Sequence, residues 1–114
     1  MPAKIKLNIE QGATFRYSLN WTADDVPVDL TGCTARMQIR LDVSSPAVIA
    51  ELTTQNTGIV LNATPGQVDL YLSATDTAAL NFDTAVYDLE VEFTNGDVCR
   101  LIEGEVALSL EVTR

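Results

Sequence analysis

The chain contains no histidine. That removes the commonest general base, the commonest metal ligand and the usual partner of a nucleophilic serine or cysteine. Only two cysteines occur, Cys33 and Cys99, which is far from a zinc pattern. The six glycines are scattered among turns, so no phosphate-cradling loop is present. Seven lysines and arginines stand against sixteen acids, a net charge of −9. Nucleic-acid affinity rests on cations that neutralise phosphates, so this balance argues against such a ligand. No apolar run approaches the ~20 residues that a membrane-spanning helix needs. The start, Met1-Pro2-Ala3-Lys4-Ile5-Lys6, also lacks the apolar centre of a secretory signal. Carboxylate pairs arise by chance among sixteen acids, and a chain this short leaves little room for a sugar cleft between them. The expectation is a non-enzymatic protein with no metal, cofactor, small-molecule substrate, nucleic acid or membrane.

What is present is strand pattern. The 114 residues, 46% apolar, suit a single domain over 1–114 with a real core. In DLTGCTARMQIR, Asp29 and the Thr31-Gly32 pair mark a tight corner. Beyond it Cys33, Ala35, Met37, Ile39 and Leu41 fall on one face, with Thr34, Arg36, Gln38 and Arg40 on the other. Strict alternation of this kind marks an antiparallel strand half-buried over a core. Ile5, Leu7 and Ile9 predict a first strand, and Phe15, Tyr17, Leu19 and Trp21 a second. Thr22 to Val28 reads as a polar loop, in which Asp24, Asp25 and Asp29 lack the spacing of a calcium loop.

Val48, Ala50 and Leu52 predict a short strand, and Ile59 to Leu61 another. Pro65-Gly66 has the composition of a type II turn leading to Val68, Leu70 and Leu72. Ser73 to Leu80 carries the chain's helix signal, with Ser73 as N-cap and Asp76 near the positive end of the dipole. Tyr87, Leu89, Val91 and Phe93 alternate with acids before an Asn95-Gly96 hairpin turn. The last strand is expected from Val98 towards Val112, with Gly104 as a bulge that switches register. The fold class expected is therefore all-β, an antiparallel immunoglobulin-like β-sandwich of seven or eight strands with one short helical turn. Its expected core includes Phe15, Leu19, Trp21, Met37, Ile39, Leu70, Leu89 and Val91. Cys33 and Cys99 are expected as reduced, buried thiols.

Charge is unevenly distributed. Residues 1–41 hold five cations and four acids, whereas residues 42–114 hold two cations and twelve acids. Basic early strands can pair with acidic late strands within one molecule, or the two surfaces can meet on different subunits. The second arrangement makes Lys4, Lys6, Arg36, Arg40, Glu90 and Glu92 candidate protein-interface residues. Arg36 and Arg40 stand on one exposed face, about 13 Å apart along a strand.

The order IKLNIEQGATFRYSLNW, PVDLTGCTARMQIR, LSATDTAAL and VYDLEVEFTNGDVCRLIEGEVALSLEVTR resembles a family of small tailed-bacteriophage proteins. It is similar to the N-terminal module of phage baseplate upper proteins and to stand-alone virion proteins related to it. The similarity spans nearly the whole chain and is weakest from Ser44 to Asn56. It implies a non-enzymatic structural protein of a bacteriophage particle, an attachment or accessory subunit of the tail or baseplate. Its partners would be other virion proteins and copies of itself. Its location would be the virion, after synthesis in the host bacterial cytoplasm without secretion. The alternatives are a capsid decoration protein that stabilises the head and an immunoglobulin-like module that binds carbohydrate or a host surface.

Overall fold

The computed structural model describes residues 3–113. Eleven strands and one helix follow in chain order: β1 (Ala3–Lys4), β2 (Leu7–Glu10), β3 (Phe15–Asn20), β4 (Thr22–Ala23), β5 (Val26–Pro27), β6 (Thr34–Arg40), β7 (Ala50–Thr53), β8 (Ile59–Leu61), β9 (Gln67–Leu72), α1 (Ala74–Ala78), β10 (Thr84–Glu92) and β11 (Val98–Ser109). They build an all-β sandwich. One sheet has the order β1-β11-β10-β6-β7, with β2 also paired to β11, and the other has the order β3-β9-β8. Alternation along each strand turns one face of each sheet inward. Leu7, Ile9, Ala35, Met37, Ile39, Leu52, Leu89, Val91 and Val106 of the larger sheet meet Phe15, Ile59, Val68 and Leu70 of the smaller one in a single buried cluster.

Most local signals are met. The Cys33 N–H donates to the Leu30 carbonyl, and the Asp29 carboxylate accepts from the Thr31 N–H at 3.0 Å, which closes the corner before β6. The Gln67 N–H reaches the Thr64 carbonyl at 2.8 Å across Pro65-Gly66. Gly66 supplies the φ of +80° that the third turn position requires. Ser73 caps α1 by accepting from the Asp76 N–H at 3.1 Å. Phe93 and Asp97 close the hairpin at Asn95-Gly96.

Several expectations need correction. β1 and β2 run parallel to β11, so the larger sheet is mixed rather than wholly antiparallel. The supposed loop Thr22 to Val28 contains the β4–β5 hairpin, with Asp24 and Asp25 at φ 52° and 62°. Two successive positive φ values are the two-residue hairpin geometry that short polar residues tolerate. The last strand ends at Ser109, short of Val112. The register shift in β11 lies at Leu101, which is skipped between the Leu89↔Ile102 and Glu90↔Arg100 pairs. Gly104 stays in register opposite Tyr87. It serves close approach instead, because a Cβ there would lie 2.3 Å from the Ile5 carbonyl oxygen. Trp21 and Leu19 are half-buried and pack against the core rather than lying inside it. Trp21 also meets Phe93, with ring centroids 5.8 Å apart. Cys33 and Cys99 are free thiols, but each is half-buried. Burial is still the main cause that raises the Cys33 pKa.

The turn that carries the chain from one sheet to the other is latched. The fully buried Thr77 hydroxyl donates to the Ala13 carbonyl at 2.8 Å and accepts from the Gly12 N–H at 3.1 Å. Gln11 adds two ties, from its amide to the Leu80 carbonyl and from the Glu111 N–H to its oxygen. These bonds hold β2 and β3 along the same side of the sandwich.

Candidate functional site

The outer face of the larger sheet carries the charged residues singled out by the sequence. Arg36 on β6 stands directly opposite Glu90 on β10. Its Nε lies 3.0 Å from the Glu90 carboxylate and its Nη1 3.4 Å from that of Glu92. The hydrogen bond to Glu90 is the main cause that holds the Arg36 pKa above its ordinary value. Arg36, Glu90 and Glu92 thus come together within one molecule, the first of the two arrangements that the charge distribution allows. Lys6 lies 3.9 Å from Glu105. Arg40 donates to the Ser45 carbonyl and to Gln38, both at 2.8 Å, and so anchors the loop after β6. Lys4 and Arg40 line one open groove of about 520 Å³ with Val43, Asp88 and Arg100. Burial pushes the Asp88 carboxyl up, while Arg100 at 3.7 Å pulls it down. Cross-strand pairing thus occupies much of this face. Among the described residues no three of His, Cys, Asp and Glu gather as a metal would require.

A different feature stands out at the rim of the smaller sheet. β3 pairs with β9 from Phe15↔Leu72 to Asn20↔Gln67. The Trp21 N–H continues that ladder by donating to the Gly66 carbonyl at 2.8 Å. Antiparallel bonding alternates along a strand. The backbone groups of Phe15, Tyr17 and Leu19 therefore point to β9, and those of Arg16, Ser18 and Asn20 point away. Tyr71 agrees with this assignment, since it lies opposite Arg16 and gives its N–H to Gly58 on the β8 side. Among the described residues no partner meets the outward backbone groups of Arg16, Ser18 and Asn20.

The other sheet edges are protected. β7 is closed by Asn56, whose side chain accepts from the Thr53 N–H at 2.8 Å and donates to the Glu51 carbonyl at 3.0 Å. β8 is three residues long. The edge made by β1 and β2 is interrupted at Ile5 and Lys6 and presents exposed Lys4 and Lys6. Short strands, charges and breaks are the usual guards of an edge. β3 has six residues without proline, and it is flanked by shallow grooves on both sides. Arg16 is held 4.7 Å over the Tyr71 ring, and Ser18 is hydrogen-bonded to Asp69. Their side chains thus lie fixed on the sheet's outer face.

Sequence reasoning recognised β3 as a strand but not as an edge. Alternation reports which face of a strand is buried, whereas edge status depends on partners tens of residues away.

No family model and no curated relative matches the chain. Among solved structures it is similar to CopC from Methylosinus trichosporium OB3b, at 14% identity and a TM-score of 0.51. That likeness covers 95% of this chain and 89% of the other. At such identity it carries the fold alone. It nevertheless corrects the expected role as a structural protein of a phage particle, whether in tail, baseplate or head. That role rested on strand order and spacing, which describe a sandwich that CopC shares.

Proposed function

We propose that this chain is a non-enzymatic protein-interaction module that docks a polypeptide strand against β3. The observation that carries the reading is the free rim of a six-residue strand, with the backbone of Arg16, Ser18 and Asn20 turned outward. Main-chain groups on such a rim bind an added strand by continuing the sheet, and flanking side chains select the partner. Chemical content supports the non-enzymatic part. The chain has no histidine, and its most perturbed group, Tyr87, is a buried tyrosine bonded to a backbone carbonyl. The likeness to CopC brings no further role, because it reaches only the fold.

The test places a photo-cross-linking residue at position 20 in cells that make the full chain. Two substitutions at Ser18 then separate rim from side chain. Ser18→Pro removes an outward N–H without touching the bonds to β9, whereas Ser18→Ala removes only the hydroxyl bonded to Asp69. The expected result is an adduct to a polypeptide that survives Ser18→Ala and vanishes with Ser18→Pro. No adduct, or one indifferent to Ser18→Pro, overturns the reading.

A further inference from the structure

We propose that Asp88, Glu103 and Arg100 form an acid-tightened clasp between β10 and β11, in which protonation of Asp88 strengthens the larger sheet. Register sets up the conflict. Asp88 on β10 stands directly opposite Glu103 on β11, both on the outer face and both half-buried. Like charges in directly opposed positions, with Cβ atoms about 4.5–5.5 Å apart, destabilise an antiparallel pair. The skipped residue Leu101 then decides which cation answers them. Residues three apart normally face opposite sides of a strand, but the bulge turns Arg100 to the same face as Glu103. Arg100 donates to Glu103 at 3.2 Å and lies 3.7 Å from Asp88, too far for a hydrogen bond. It also stands directly opposite Glu90. One arginine thus faces three carboxylates, and Asp88 receives its charge but not its hydrogen bond.

The surrounding groups leave this conflict in place. Across from Asp88 on β6 is the neutral Gln38, whose amide donates to Glu51 of β7. Arg40, on the same face of β6, donates to Gln38 and to the Ser45 carbonyl. Arg36 is held by Glu90 and Glu92. Lys4 of β1 stands opposite Glu103 rather than Asp88. Glu105, further along β11, faces Val86 and lies 3.9 Å from Lys6. Burial is the main cause that raises the Asp88 pKa above its ordinary 3.8, and Glu90 and Glu103 add to the rise against the pull of Arg100 and Arg40. Folding therefore disfavours the ionised form. The resulting cost is complete at neutral pH and disappears as pH falls through the raised value towards 3.8. A protonated Asp88 also leaves the Arg100 charge to Glu103 and Glu90. Acid weakens the contacts of most paired carboxylates, and here it strengthens one.

NMR titration of the side-chain carboxyl carbons in the full chain tests the clasp directly. The Asp88 midpoint should lie above 3.8, move down in Glu103→Gln and move up in Arg100→Gln. Asp88→Asn keeps the shape and removes the charge, so it should melt at a higher temperature than the wild type at neutral pH. That gap should close as pH is lowered to 3.8 and below. An Asp88 midpoint at or below 3.8 overturns the proposal, as does a midpoint that Glu103→Gln leaves unchanged. A folded Asp88→Asn variant no more stable than the wild type at neutral pH overturns it too. If a variant fails to fold, the wild-type midpoint alone decides.

Discussion

The Tyr87 hydroxyl donates a 2.7 Å hydrogen bond to the Ile5 carbonyl, at the break between β1 and β2. That single bond ties the edge of the larger sheet to a tyrosine on one of its inner strands. The same carbonyl sits over Gly104, and the Ile5 N–H donates to Glu103 at 3.0 Å. Ile5 is therefore the point at which the amino-terminal strand is fastened.

Tyr87→Phe keeps the ring and removes the donor, leaving the Ile5 carbonyl without that partner. A buried acceptor left unsatisfied costs about 1–3 kcal/mol. The expected outcome is a lower melting temperature with unchanged circular dichroism, and faster amide exchange at Ile5. Unaltered stability would show that water replaces the hydroxyl at no cost.

Tyr87 also sets an alkaline limit. Burial, with smaller contributions from Tyr17 and Glu103, pushes its pKa from 10.0 to about 12. The raised value means that folding disfavours the phenolate. Stability from this group is complete below pH 10.0, its ordinary value, and is lost as pH rises towards about 12. Denaturant melts across that window should show a steep fall for the wild type and a shallower one for Tyr87→Phe.

Gly104→Ala tests the close approach. The added Cβ would lie 2.3 Å from the Ile5 oxygen and 3.1 Å from its carbonyl carbon. Both are backbone atoms, so β1 and β2 must shift away from β11. The expected loss is about 1–3 kcal/mol, in line with overpacking elsewhere, with exchange increased at Ala3 to Lys6. An alanine variant as stable as the wild type would mean that the amino-terminal strand contributes little.

The local parts of this fold were legible and the non-local parts were not. Alternation located β3, β6, β9 and β10, and turn chemistry placed the corners at Gly32, Gly66 and Gly96, because those signals are written within a few residues. The β4–β5 hairpin escaped because Asp24-Asp25 lacks the glycine that usually marks its turn. Gly104 looks like a bulge in the sequence, since nothing nearby in the chain indicates that Ile5, ninety-nine positions earlier, packs against it. The charge pairs were half legible. Alternation puts Arg36 and Glu90 on the polar faces of their strands, and only the paired register brings them together within one chain. The β3 rim had no local signature.

Because Arg36 is solvent-exposed and Glu90 and Glu92 are only half-buried, their removal should matter little. Arg36→Ala is expected to cost roughly 0.2–1 kcal/mol, the range for exposed ion pairs. The difference from wild type should shrink in high salt, which screens exposed charges. Melting in low and high salt checks this. A loss well above that range, insensitive to salt, would mean that the stem of Arg36 contributes through packing.

Asn56 offers the complementary test at the opposite edge. Its side-chain oxygen accepts from the Thr53 and Gly58 N–H groups, both at 2.8 Å, and its amide donates to the Glu51 carbonyl at 3.0 Å. One side chain thus occupies the rim of β7 and also holds the turn in which Thr57 takes a φ of +64°. Net values near 0.5–1.5 kcal/mol per hydrogen bond, reduced because water can reach this exposed rim, predict a loss of about 1–3 kcal/mol for Asn56→Ala. Asn56→Asp keeps the acceptor and loses the donor, so it should fall between the two. Amide exchange should accelerate at Thr53 and Gly58 in the alanine variant and remain slower in the aspartate one. Equal exchange in both variants would show that the turn, rather than the Asn56 side chain, closes this edge.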